Sequence, residues 1–161
     1  MSNTFKSVEN VNLNPETISF YLSYLQDAYL IEKSTRYDIK GKKYIGSLSK
    51  YYFTDIGLRN AILNFRQQEE SHIMENIIYN ELCIKGFAVD VGIVEHRTTD
   101  KDNQTIRKQY EVDFVANLGS QRYYIQSALS IPDKEKIMQE TNSLRHINDN
   151  FRKIVITKDD V

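Results

Sequence analysis

The sequence predicts an α+β fold, with a helix and a hairpin in front and a mixed sheet flanked by helices behind. Three observations carry this reading. Asn14-Pro15-Glu16-Thr17 is a helix start that runs, within about one helix length, into extended segments joined at Lys40-Gly41-Lys42. A second helical stretch ends at Gly86, and beyond it the apolar period switches to two: Phe87, Val89, Val91 and Ile93 alternate with smaller or polar residues. Turn and loop residues then divide the remainder into helix, three strands, helix and strand, counted from the helix before Gly86.

The elements follow in order. Asn14 can cap, Pro15 suits the first helical position and Glu16 favours the positive end of the helix dipole. Ile18, Tyr21, Leu22, Leu25 and Tyr29 recur at helical spacing, which predicts an amphipathic helix over residues 15–29. Leu30 to Asp38 and Tyr44 to Phe53 read as the two strands of a hairpin. A helix leading straight into a hairpin with basic residues at its turn resembles a winged helix. Thr54 is expected to cap a short helix beginning at Asp55. Residues 69–85 predict a helix with Ile73, Met74, Ile77, Ile78 and Leu82 on one face and Gly86 as its C-terminal cap. The polar stretch Asn64 to Glu70 is the candidate boundary between a partial winged-helix-like unit, residues 1–63, and an α/β unit, residues 64–161. Thr98 to Gln104 reads as a hairpin end, Tyr110 to Ala116 and Arg122 to Leu129 as strands, and Arg152 to Thr157 as a last strand. Between them Pro132 opens a helix with Ile137, Met138, Leu144 and Ile147 facing inward. The strand at 110–116 should be central, because both its faces carry sizeable residues and it lacks Pro.

Composition narrows the function classes. A net charge of -1 means that any nucleic-acid case must rest on local patches. The hairpin supplies one in Lys33, Arg36, Lys40, Lys42, Lys43 and Lys50, the first five being the candidate nucleic-acid contacts; phosphate contact and a solvated, lysine-protected strand edge both account for it. One cysteine, Cys83, rules out an internal disulfide framework. No apolar run has membrane length and Met1-Ser2-Asn3-Thr4 is not a signal peptide, so a cytoplasmic protein without membrane contact is expected. His72, His96 and His146 lack the close pairing of common zinc motifs, and Gly41, Gly46 and Gly57 are isolated, so neither a zinc site nor a phosphate-binding loop is predicted.

One constellation carries chemistry. Alternation places Glu111 and Asp113 on one face of their strand and Val112 and Phe114 on the other. In the next strand Tyr124, Gln126 and Ala128 share a face. If the two strands are neighbours, Asp113 and Gln126 can converge, and Glu75 on the preceding helix can approach them. This layout resembles that of PD-(D/E)xK nucleases, whose carboxylates hold a divalent metal that activates water. Here Gln126 stands where an acid is usual and Ala128 where the lysine is usual. Lys108 or Arg122 are candidate substitutes for that lysine. The site is read as degenerate at Glu75, Asp113 and Gln126, with no catalytic and no metal-binding residues; a polar lining of the sheet accounts for the same three residues.

Several blocks together resemble the C-terminal uncharacterised domain of predicted bacterial and archaeal AAA-type P-loop ATPases. They are Thr17-Ile18 with Tyr21-Leu22 and Leu25 to Leu30, Arg36 to Lys43, Lys50-Tyr51-Tyr52-Phe53-Thr54-Asp55-Ile56-Gly57-Leu58-Arg59-Asn60, Glu75-Asn76-Ile77-Ile78-Tyr79-Asn80-Glu81-Leu82, Glu111 to Val115 and Tyr124-Ile125-Gln126. The resemblance implies a winged-helix-like segment followed by a restriction-endonuclease-like sheet. It also implies a parent whose ATPase core, with ATP and magnesium, is missing here, so no cofactor is expected in this chain. The chain is therefore read as a fragment that starts inside a winged-helix unit and stops before its family would.

Three functions compete. The first is a non-catalytic accessory module that couples the ATPase core to DNA, with the helix from Thr17 to Tyr24 in the major groove and the Lys40 to Lys43 turn on phosphate. The second is a protein-interaction or homo-oligomerisation module. The third is a metal-dependent nuclease with an atypical site. The missing lysine favours a protein that is not an enzyme.

Overall fold

The computed structural model describes residues 14–66, 69–99, 103 and 105–158. The N-terminal segment around Met1–Thr4, part of the Asn64–Glu70 stretch and most of the Thr98–Gln104 tip lie outside the described residues. The elements are α1 (Pro15–Asp27), β1 (Ile31–Asp38), β2 (Lys43–Phe53), α2 (Ile56–Ile62), α3 (Glu70–Ile84), β3 (Ala88–Thr99), β4 (Thr105–Leu118), β5 (Gln121–Ala128), α4 (Lys134–Glu140), α5 (Asn142–Arg145) and β6 (Arg152–Thr157).

All six strands form one mixed sheet in the order β2-β1-β3-β4-β5-β6. The fold is α+β, as expected, with β4 inside the sheet. The hairpin expected as a separate wing is part of that sheet. β1 lies parallel to β3 through Arg36–Val91, Tyr37–Gly92 and Asp38–Ile93. Buried polar groups seal this junction: Ser34 Oγ donates to Val89 O at 3.1 Å, and Asp90 accepts from Thr35 Oγ1 at 2.8 Å and Tyr44 OH at 3.2 Å. The segments on either side of residue 63 thus share one sheet.

The local signals act largely as read. Asn14 Oδ1 accepts from the Glu16 and Thr17 amides, and Gly86 follows α3 at φ +84°. The cap of α2 is Asp55, which accepts from Leu58 N at 2.8 Å; Thr54 Oγ1 instead donates to Tyr29 O at 2.7 Å. The Asp55 carboxylate, at the residue just before the helix, reaches the helix amide while the Thr54 hydroxyl closes the end of the hairpin.

Three predicted apolar faces differ. After Pro132 only Leu144 and Ile147 are buried, while Ile137 and Met138 on α4 are exposed. In α1 Ile18 and Leu22 are half-buried, but Tyr21, Leu25 and Tyr29 are exposed, because the helix meets only the start of β1. In α3 the buried residues are Asn76, Ile78 and Tyr79, and Ile77 points to solvent. The face is rotated because polar side chains of α3 bond to the end of β2.

The core has two halves, one on each face of the sheet. Val94, Val112, Val115, Tyr124, Leu144 and Ile147 pack together beneath α5. Tyr52, Ile78, Tyr79, Phe114, Ala116 and Ile125 pack together beneath α3, with the Tyr52 and Tyr79 rings stacked 4.0 Å apart.

The division exposes a β-bulge in β4. Asp90 faces Val115 and Gly92 faces Val112, so Asp113 and Phe114 together oppose Val91. Strict alternation would give Val112 and Phe114 one face. The extra residue puts Phe114 beneath α3 while Val112 stays beneath α5. Gly92 permits the close packing beside it, since a Cβ there would stand 2.9 Å from Val112 Cβ.

Candidate functional site

The bulge decides which residues meet. In a regular ladder Asp113 would lie across from Gln126 on the Tyr124 face. Displaced by the bulge, it turns beneath α3 and meets Ser127, whose amide and hydroxyl both donate to Asp113 Oδ2 at 2.8 Å. Gln126 remains on the other face and accepts from Ser143 Oγ of α5 at 3.1 Å. Asp113 and Gln126 therefore do not converge. Ala128 is buried in the sheet.

Glu75 does reach the site, and so does a residue that the motif reading did not place there. Lys50, on β2, bridges Glu75 Oε1 and Glu111 Oε1 at 2.8 Å each, with Asp113 Oδ1 at 4.0 Å. Arg36 holds the other oxygen of Glu111 at 2.8 Å, and Tyr52 OH donates to Glu75 Oε1 at 2.7 Å. Neither Lys108 nor Arg122 supplies the missing lysine. Lys108 is exposed on β4, and Arg122 Nε donates to Asn117 Oδ1 at 2.7 Å. The cation that pairs with these carboxylates comes from the hairpin.

Three sequence blocks thus join at one point: Lys50 to Phe53, Glu75 to Asn80 and Glu111 to Val115. Asn76 completes the joint. Its Oδ1 accepts from Phe53 N at 2.9 Å and its Nδ2 donates to Phe53 O at 2.8 Å, as a neighbouring strand would. Asn80 Nδ2 adds bonds to Phe53 O and Thr54 O. Lys50, Tyr52 and Asn76 could have been suspected from the spacing of these blocks, since alternation puts Lys50 and Tyr52 on one face of β2.

The electrostatics match this geometry. Burial alone would push the Lys50 ammonium down, but its bonds to Glu111 and Glu75 outweigh that and hold it above its ordinary value. Burial, then the Glu75 carboxylate, raises the Tyr52 hydroxyl. Burial also raises Asp113; the Ser127 amide opposes this and Glu75 adds to it.

Asp113 therefore binds its proton more tightly in the folded chain than in the unfolded one. Its ionised form costs stability at neutral pH. That cost fades as pH falls through the raised folded value and is gone below the ordinary carboxylate range. Asp113→Asn, which keeps an acceptor for Ser127, is expected to be at least as stable as the parent at pH 7, with any gain vanishing near pH 3. Urea unfolding across that range measures it, and a large loss at pH 7 would contradict the sign.

The nuclease layout implies a divalent cation among these carboxylates. The residues do not fit one. The Lys50 ammonium stands between Glu75 and Glu111, Ser127 occupies Asp113 Oδ2, and Gln126 faces away. Among the described residues, no three His, Cys, Asp or Glu side chains are disposed to hold a metal ion.

The expected phosphate contacts divide. Lys33, Lys40, Lys42 and Lys43 are exposed, but Arg36 is committed to Glu111 and to Leu48 O. α1 ends where β1 begins, and the basic turn lies at the far end of β1, about 25 Å away at the usual rise per strand residue.

Comparison with known proteins adds the following. Residues 3–69 match a domain of unknown function, DUF8612. That match takes in Arg36 and Lys50 but stops before Glu75, Glu111 and Asp113. An uncharacterized protein of Haemophilus influenzae is 36% identical over 157 residues, which is 98% of this chain and 35% of that protein. An uncharacterized protein of Methanocaldococcus jannaschii is 32% identical over 127 residues, covering 79% of this chain and 26% of its own length. The chain thus spans about a third or less of the curated relatives it matches. No solved structure matches it. Among the described residues no helix is long and apolar enough to cross a membrane.

Proposed function

We propose that this chain is a non-catalytic accessory module of a longer protein, built on a nuclease-like sheet, that engages DNA. The order α3, the β3-β4-β5 meander, the α4–α5 crossover and the parallel β6 supports the nuclease-like reading, as does the meeting of Glu75 with Asp113. The observation that carries the loss of catalysis is the position of Lys50. Its ammonium lies 2.8 Å from two carboxylates, where a divalent cation would need them. A hard cation binds through carboxylate charge, and an internal ammonium already uses it. Much of the relatives' length lies outside the matched region, which leaves room for the P-loop ATPase core, with its ATP and magnesium, that the block resemblance implies. ATP hydrolysis by a full-length relative tests that part.

The expected result for the chain itself is no cleavage of supercoiled plasmid or single-stranded DNA with magnesium or manganese. Cutting that vanishes in Asp113→Ala would replace this reading with a metal-dependent nuclease using Lys50. A second reading, association with another copy of the chain, is favoured by the exposed Phe20, Tyr21 and Tyr24 on α1. Sedimentation at rising protein concentration tests it.

A further inference from the structure

A cleft of about 660 Å³ opens at the far end of β1, between the β1–β2 turn and the arm formed by the ends of β3 and β4. Lys40, Lys43, His96 and Arg97 line it together with Asp38 and Glu95. Both carboxylates are already engaged. Asp38 Oδ1 accepts from Gly41 N at 2.9 Å, while Glu95 Oε1 pairs with Arg97 at 3.3 Å and Arg107 at 3.7 Å. Lys40 Nζ is held on Glu95 O at 2.9 Å, which aims it along the cleft instead of leaving it free. Lys42 lies between Gly41 and Lys43 in the turn, and Arg107 and Lys108 lie across from Arg97 and His96 on β4; all three are exposed. Six cations thus stand around two carboxylates, two of the six being paired with Glu95, in a chain whose net charge is only -1. The tip beyond Thr99 carries Asp100, Lys101 and Asp102 in sequence and is not needed for this surface.

We infer that this cleft binds the sugar–phosphate backbone of nucleic acid. The inference rests on the DNA-engaging reading above and moves the contact away from α1. The chemistry is that of charge spread along a groove. Lysines and an arginine gathered at one cleft neutralise phosphates and release condensed counterions, which positions a strand without reading its bases. An acidic protein segment would meet the same charges, but the exposed lysines of the turn suit the denser, regularly spaced charge of a phosphate backbone better.

The test is fluorescence anisotropy with a short labelled duplex, and with one of its strands alone, at several salt concentrations. The parent chain is compared with Lys43→Ala/Arg97→Ala and with Lys33→Ala. Both cleft positions are exposed, and a thermal melt confirms folding. The double variant should lower the logarithmic salt slope by about two for duplex, slightly less for the single strand, and Lys33→Ala should leave it unchanged. The form bound more tightly at a given salt concentration is the preferred one. DNA binding with an unchanged slope in the double variant overturns the cleft and leaves the DNA-engaging reading standing. No DNA binding at low salt, or binding only to a polyglutamate peptide run in parallel, overturns both.

Discussion

Lys50→Ala is expected to lower stability by about 2–3 kcal/mol at neutral pH, toward the lower end of what breaking a buried ion pair costs because the cluster is partly solvated. The variant leaves Glu75, Glu111 and Asp113 facing one another with only Arg36 to offset them. Their repulsion, and the loss of two charge-assisted hydrogen bonds, act in the same direction. As pH falls through the raised Asp113 value that carboxyl loses its charge, less repulsion is left uncompensated, and the deficit should narrow. Lys50→Met keeps the apolar stem and isolates the charge. It should show the same pH trend with a smaller loss. Chemical denaturation of the three proteins across pH 4 to 8 measures this. A deficit independent of pH would mean that Lys50 contributes packing alone, and the account of a cation held by three carboxylates would fail.

A loss of about 3 kcal/mol is likewise expected for Asn76→Leu. The substitution preserves much of the side-chain volume. It removes the one side chain among the described residues that bonds to both the amide and the carbonyl of Phe53. A buried backbone donor left without a partner costs about 1–3 kcal/mol, and an acceptor a similar amount. Asn80 still reaches Phe53 O, so most of the loss should come from the amide. Asn76→Asp separates the two bonds, since it keeps the acceptor for Phe53 N and loses the donor. Hydrogen exchange at the Phe53 amide, together with the unfolding midpoint, reports the result. Protection of that amide in Asn76→Leu would show that another group takes over.

Both variants probe the joint between α3 and β2, and this joint shows how far the sequence could be read. The blocks from Lys50 to Asn60 and from Glu75 to Leu82 stood out in the chain, but nothing in either said that they touch. A hairpin read as an independent wing has no reason to donate a lysine to a site in another unit. Only the parallel pairing of β1 with β3 brings it there. Parallel pairing joins residues far apart in sequence, and no local signal announces it.

What the sequence by itself determined was local. The Asn14 cap, the Gly86 terminus, the switch to period two and the internal position of β4 follow from backbone preference and side-chain alternation, which act over a few residues. Glu75 and Asp113 were legible because a known spacing pointed at them. The tertiary structure alone decided the partner of each. A single extra residue in β4 turned Asp113 away from Gln126 and toward Ser127, and carried Phe114 across to the α3 face. A bulge leaves the composition of a strand unchanged while reversing its alternation, so periodicity cannot reveal it. The cation of the site was decided in the same way, because whether three carboxylates meet a metal or a lysine depends on which strand lies beside them in space.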